Sequence, residues 1–169
     1  MQVRFNPMSR LRHIRTRLAA EDGQSAIEFA LVFPFVLVIL LGFVDLGFVF
    51  NFWNDEQHLA STGARYAVVN RVPTNPCNSD TTLQAYIKCS ADSKSLRDGG
   101  NSQIPNPLQV CVEFPNAGSR LAGDPVKVTV RTTYRFFPGL GISDTTLTGS
   151  ATMRLETKPD AATIPTGCA

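Results

Sequence analysis

Gly23-Gln24-Ser25-Ala26-Ile27-Glu28-Phe29 opens a nearly unbroken apolar run that continues to Phe52 and Trp53, and the reading of this stretch decides the fold. Between residues 29 and 53 only Pro34, Gly42, Asp45, Gly47 and Asn51 interrupt hydrophobic side chains. About 25 residues at about 1.5 Å each give roughly 37 Å of helix, enough to cross a bilayer with some tilt. A core helix of a water-soluble protein shows a polar stripe on one face. This run has none, so residues 24–53 read as a transmembrane helix.

Subtracting that helix and the basic stretch before it from 169 residues leaves about 115, the size of one small domain. The formal net charge of +2 makes no case for nucleic acid. The basic residues are used locally instead. Arg4, Arg10, Arg12, Arg15 and Arg17 flank the run on its N-terminal side, and Asn54, Asp55 and Glu56 flank it on the other. The positive-inside rule then leaves the N-terminus in the cytoplasm and exports the C-terminal part across a plasma (inner) membrane. A cleaved secretory signal would need a shorter apolar core followed by a small-x-small site, and neither is present. Cys77, Cys89, Cys111 and Cys168 all follow the run. Four cysteines on the exported side point to an oxidising compartment and two disulfides. With no C-x-x-C spacing and only His13 and His58 as histidines, neither a metal nor another cofactor is expected.

Gly23 directly before Gln24, with Glu28 and Phe29 five and six residues after the glycine, resembles the site at which prepilin peptidases cut on the cytoplasmic face. The longer string, residues 24–34 ending in Phe33-Pro34, followed by Asp45-Leu46-Gly47 and Gly63-Ala64-Arg65-Tyr66-Ala67, is similar to the TadE-like minor pilins (pseudopilins) of tight-adherence (Tad/Flp) type IV pili. The resemblance is close from Gly23 to about Val72, loose over the later strands, and does not extend to the leader. It implies a structural pilus subunit for adhesion, made as a prepilin, with a leader at 1–23. It also implies its partners: a prepilin peptidase, other pilin and minor-pilin subunits, the Tad inner-membrane platform and membrane lipid.

The residues themselves agree with that implication. Glycine at 23 lets a protease approach the backbone and interrupts helix. A carboxylate at Glu28, at the edge of hydrocarbon, costs roughly 2.5 to 3.5 kcal/mol at full depth and so calls for a partner. The amine that cleavage would create on Gln24, or a neighbouring subunit's, supplies one, and the resemblance to pilins favours the neighbour's. Pro34 lacks an N–H and leaves the Ala30 carbonyl unpaired, so a loosened turn is expected there. Asp45 falls close to the outer membrane boundary among Phe48, Phe50, Phe52 and Trp53, and is expected to be wet.

Past Trp53 the helical pattern continues over 54–72 as a projecting segment, with Pro73 as its stop. Ala60, Gly63, Ala64 and Ala67 recur three and four apart, a small-residue face for helix packing that allows another backbone to approach. Residues 73–169 read as an extracytoplasmic domain: a linker carrying Cys77, a short helix over 81–91 capped by Ser79 or Asp80 with Leu83 and Ile87 on one face, a mobile loop over 92–107, and three alternating strands over 108–114, 126–137 and 147–157. Val110, Val128, Val130, Tyr134 and Leu147 are among the apolar-face positions. Gly149 and Ala151 leave space on that face, and residues 60–67 are expected to lie across it. The fold class is therefore α+β, a long N-terminal pilin-like helix on a small three-stranded antiparallel sheet in the order 1-2-3.

Cys77 with Cys89 would tie the linker to the short helix, and Cys111 with Cys168 would fasten the tail to the first strand, with Cys77 to Cys111 as the main competing pair. Nothing in the sequence assembles a catalytic site: no nucleophile elbow, no metal spacing and no phosphate-cradling glycine loop. An enzyme is not expected. The alternative to a pilin is a single-pass signal-anchored envelope protein whose exported domain binds a ligand or partner.

Overall fold

The computed structural model describes residues 8–74, 77, 80–116, 119–137 and 143–169, with the side chains of the first helix described from Gly23 onward. The chain divides into two compact units, Met1–Phe43 and Val44–Ala169. Helix α1, Met8–Val68, runs through the division, so that residues 44–68 belong to the second unit. The first unit is described here only as helix.

In the second unit α1 is followed by α2 (Leu83–Cys89), α3 (Lys94–Asp98), β1 (Gln109–Glu113), β2 (Pro125–Tyr134), β3 (Thr145–Arg154) and β4 (Gly167–Cys168). The sheet is antiparallel with the order β3-β2-β1-β4. It is α+β as expected, but with four strands rather than three. The added strand is two residues long, too short to carry a period-two signal, and it is defined by pairing Cys111 with Cys168 and Val112 with Gly167. A disulfide joins Cys111 to Cys168 at that pair, and a second joins Cys77 to Cys89.

Alternation decides which face of the sheet is buried. Val110 and Val112 from β1, Val126, Val128, Val130, Thr132 and Tyr134 from β2, and Leu147 from β3 point to one side and are buried. Lys127, Thr129, Arg131 and Thr133 of β2 alternate with them on the wetter side. The buried face is covered by residues 45–68 of α1 together with α2, whose Leu83 and Ile87 are buried as the spacing predicts.

The helix lies along the strands. Asp45 sits at the end of β2 beside Tyr134 and Phe137, while the Val68 carbonyl accepts N–H groups from Glu156 and Thr157 just after β3. It therefore runs antiparallel to β2 and parallel to β3. The contact is close at two glycines. A methyl group on Gly63 would meet the side chains of Ile87 at 2.4 Å and Val128 at 3.2 Å. One on Gly149 would meet the backbone carbonyl of Glu56 at 2.4 Å and the amide nitrogen of Gln57 at 2.6 Å. Residues 60–67 therefore lie across the apolar face as expected, with Gly63 on Val128, while at Gly149 itself it is the backbone of Glu56 and Gln57 that crosses. Ala60, Ala64 and Ala67 are fully buried further along, so backbone spacing is set by residues with little or no side chain.

Helix α1 ends at Val68 rather than at the expected Val72. Asn70 adopts φ 49°, with its N–H bonded to the Ala67 carbonyl and the Arg71 N–H to that of Tyr66. This pair of bonds with a left-handed residue closes the helix before Pro73 is reached. The Asn70 side chain also accepts the Asp160 N–H at 2.9 Å. Helix α2 is shorter than expected because Thr82, not Ser79 or Asp80, is its cap and accepts the Ala85 N–H. Asp80 instead accepts the Thr82 N–H. The segment 92–107, expected to be a mobile loop, holds α3 and buries Leu96 and Ile104, while Ile164 of the tail fills a further part of the core.

The Gly149 contact generates a test. Gly149→Ala drives a methyl into backbone, which a side-chain rotation cannot relieve, and should destabilise the protein by about 1–3 kcal/mol. Gly47→Ala, with open space around the new carbon, should cost nothing. Urea midpoints of the full chain in detergent compare the two.

Candidate functional site

The residues that the resemblance singles out for processing lie together on α1 in the first unit. Gly23 lies inside α1 and so does not interrupt the helix as expected, and nothing stands within 4 Å of where its Cβ would be apart from its own helix backbone and chain neighbours. One turn on, the Gln24 side-chain amide donates to the Glu28 carboxylate at 3.2 Å. Phe29 packs its ring on Phe33 at 5.4 Å. All of these side chains are exposed. Pro34 sits inside the helix, whose assignment continues through it. Ile27, Phe29, Leu31, Phe35, Leu40 and Phe43 are exposed along the same stretch and form an apolar surface. The helix over 23–68 is long and apolar enough to cross a membrane by length and composition.

Asp45, at the start of the second unit, corrects the expectation of a wet boundary residue. It is 5% exposed, accepts the Tyr134 hydroxyl at 3.1 Å and the Phe137 backbone N–H at 2.8 Å, and so ties the helix to the end of β2. The aromatic rings around it are shared, with Phe52 5.9 Å from Tyr134 and Tyr134 5.2 Å from Phe136. Sequence spacing gave no sign of this pairing because its partners lie 89 and 92 residues away.

Three turns further on, Glu56 is the opposite case. It is fully buried, and neither carboxyl oxygen has a hydrogen-bond partner among the described residues; the buried hydroxyl of Thr132 also has none. Burial, and then the neighbouring Asp55 carboxylate, push the Glu56 carboxyl up to about 8, with the facing Thr132 backbone N–H offsetting part of the rise. Asp55 itself lies toward α3. Burial and Asp92 raise its carboxyl, and the backbone N–H groups of Ser93 and Asp92 act against that rise. Sequence reading treated Asp55 and Glu56 only as flanking charge, since a carboxyl under a glycine-bearing strand is not visible from spacing.

The small-residue face, Ala60, Gly63, Ala64 and Ala67, is buried within the second unit against the sheet and α2. It is therefore occupied by this chain. Of the acidic loop residues, Asp98 pairs with Arg97, and Asp124 accepts bonds from Ser119, Asn116 and the Leu121 N–H. Among the described residues no three histidine, cysteine, aspartate or glutamate side chains gather as a metal site.

Residues 23–65, the stretch that holds Gly23, Glu28, Asp45 and the small-residue face, match the family model described as TadE-like protein. This segment is TadE-like. No curated protein and no solved structure matches the chain. The TadE-like segment thus begins at Gly23 and ends inside the helix that lies on the sheet.

Burial of Glu56 makes its stability contribution depend on pH. In the unfolded chain Glu56 loses its proton near pH 4.5, and in the folded chain only near pH 8. Below that window both states are protonated and no penalty exists; as pH rises through it, the unfolded state gains the free energy of ionisation and folding weakens. Glu56→Gln should therefore leave stability at pH 4 little changed and raise it at pH 8 by on the order of 4 kcal/mol. Denaturation midpoints of the two proteins at both pH values check this.

Proposed function

We propose that the chain is a structural subunit of a tight-adherence type IV pilus, a minor pilin or pseudopilin that enters the membrane as a prepilin. The observation that carries this reading is the TadE-like match at 23–65, whose first residue is the glycine at the cytoplasmic entrance of the apolar run. On this reading residues 1–23 are a leader with the basic residues inside the cell, residues 24–53 cross the inner membrane, and the rest is exported. The four cysteines, all in the exported part and all in disulfides, suit an oxidising compartment.

A prepilin peptidase would cut between Gly23 and Gln24, where no side chain of the described residues stands over the glycine. The new amine, one helical turn from Glu28, is then available to a carboxylate, either within the subunit or between subunits. We assign Glu28 to pairing with a neighbouring subunit, because the Gln24 amide that it now accepts is neutral and leaves its charge uncompensated in lipid. The apolar surface of residues 27–43 serves the same step, as the face along which other pilin subunits and the assembly platform meet this one. The processing and pairing residues are therefore Gly23, Gln24, Glu28 and Phe29, with Pro34 loosening the helix for assembly. No catalytic role enters this reading.

Processing is tested by intact mass. In cells containing the peptidase the protein should lose residues 1–23, and full-length protein beside an active peptidase would leave only a tethered envelope protein. Pairing is tested separately. Glu28→Ala should be inserted and cleaved at the normal rate yet be recovered from sheared pili at a small fraction of the wild-type level; normal incorporation of that variant would remove the role given to the carboxylate.

A further inference from the structure

Among the described residues of the second unit, eight large hydrophobic side chains are exposed, and their distribution is uneven. Val44, Leu46, Phe48, Phe50 and Trp53 on α1, and Phe137 just past β2, are 43–59% exposed. The remaining two, Val69 and Leu121, belong to the far end, where α1 stops and the Gly123 N–H bonds the Leu155 carbonyl. The two ends are about 35 Å apart along the helix. The six cluster where the chain enters the unit, since the Phe137 N–H is bound to Asp45. Concentrated exposure of this kind marks a contact surface, whereas scattered apolar residues do not.

The same end has been cleared of uncompensated polarity. The one ionisable side chain among residues 44–50 is Asp45, and it is turned inward onto a hydroxyl and a backbone N–H of the sheet. That bond also satisfies the Phe137 amide, a group past the end of β2 that would be costly to leave unpaired away from water. The first exposed polar side chain of α1 after Glu28 is Asn51. From residue 29 to residue 50 the helix therefore offers only apolar surface, about 33 Å of it, against a hydrocarbon thickness of about 30 Å. On the other side of the sheet, the exposed ion pair of Arg135 and Asp144 suits a headgroup layer and not hydrocarbon.

We propose that the exported domain is seated in the outer leaflet, with lipid covering Leu46, Phe50, Trp53 and Phe137, so that the end of β2 and the Asp45 bonds lie at membrane depth. Acyl chain is the occupant chosen because Leu46, Phe50 and Trp53 lie within residues 24–53, the stretch read as crossing the bilayer, and because the one ionisable side chain among residues 44–50 is turned away from them onto the sheet. The inference rests on the reading that residues 24–53 cross the membrane, and goes beyond it, since a helix can cross a bilayer and hold its domain clear in water.

Trp53 is the single tryptophan of the chain, so depth can be read by fluorescence. The full-length protein is reconstituted in phosphatidylethanolamine and phosphatidylglycerol vesicles with acyl chains brominated at a shallow or a deep position. Wild type reports residue 53. Phe137→Trp, Leu121→Trp and Phe35→Trp, each combined with Trp53→Phe, report the patch, the far end and the span. The expected result is strong shallow-bromine quenching for wild type and for Phe137→Trp, deep quenching for Phe35→Trp and none for Leu121→Trp. A quenched Phe35→Trp with an unquenched Phe137→Trp overturns the proposal while leaving the span intact. An unquenched Phe35→Trp overturns the span and the proposal with it. Quenching at Phe137→Trp that disappears as protein is crowded into the vesicles assigns the patch to a second copy and overturns the choice of lipid.

Discussion

The second unit depends on how close one helix comes to one sheet. Glu56 and Gln57 press their backbone on Gly149, and Ile87 and Val128 press on Gly63, at distances that leave no room for a Cβ at either glycine. Alanines at 60, 64 and 67 extend the contact. Such residues bury little area each, so the gain is in packing density and not in bulk. Larger side chains from the strands, α2, Leu96, Ile104 and Ile164 then fill the space to either side. The two glycines thus admit the helix at two points, Gly149 to its backbone and Gly63 to the side chains of Ile87 and Val128.

That closeness makes the polar groups beneath the helix consequential. Asp45 and Glu56 lie on the same face of α1, and both are buried. Asp45 meets a hydroxyl and an N–H at the open end of β2, where the ladder has stopped and backbone groups are free to bond outward. Glu56 lies over the middle of the ladder beside Gly149 and the Thr132 backbone, where the strands have largely spent their backbone groups on each other, and its carboxyl oxygens have no hydrogen-bond partner among the described residues. Position along the strand thus decides which carboxyl is satisfied and which is held in its neutral form.

Much of this was legible in the sequence. The apolar run, the alternation in β2 and β3 and the small-residue face each carry a periodic signal that survives without tertiary information; that the four cysteines form two disulfides was legible too, while the choice against a Cys77 to Cys111 pair came from the fold. The TadE-like character was legible as well, because it is carried by local offsets from Gly23. What escaped depends on partners remote in sequence. The strand β4 is defined by pairing with β1 far off in sequence, through backbone bonds between Val110 and Ala169 beside the Cys111 to Cys168 disulfide. Helix α1 stops at a left-handed Asn70, which propensity does not forecast as it does proline. Asp45 looked wet because spacing measures only distance along a helix. The helix α3 hides in polar sequence, with Leu96 as its one fully buried residue.

The parallel course of α1 and the strands has a mechanical consequence. Hydrogen bonds of an antiparallel ladder stand perpendicular to the strands, so tension applied along α1 reaches the ten paired residues of β2 and β3 sideways to their bonds. The ladder is then loaded in shear, with its bonds sharing the force, and is not opened one bond after another like a zipper. A domain hung on its helix in this way resists being drawn out along that helix more strongly than being peeled away from it.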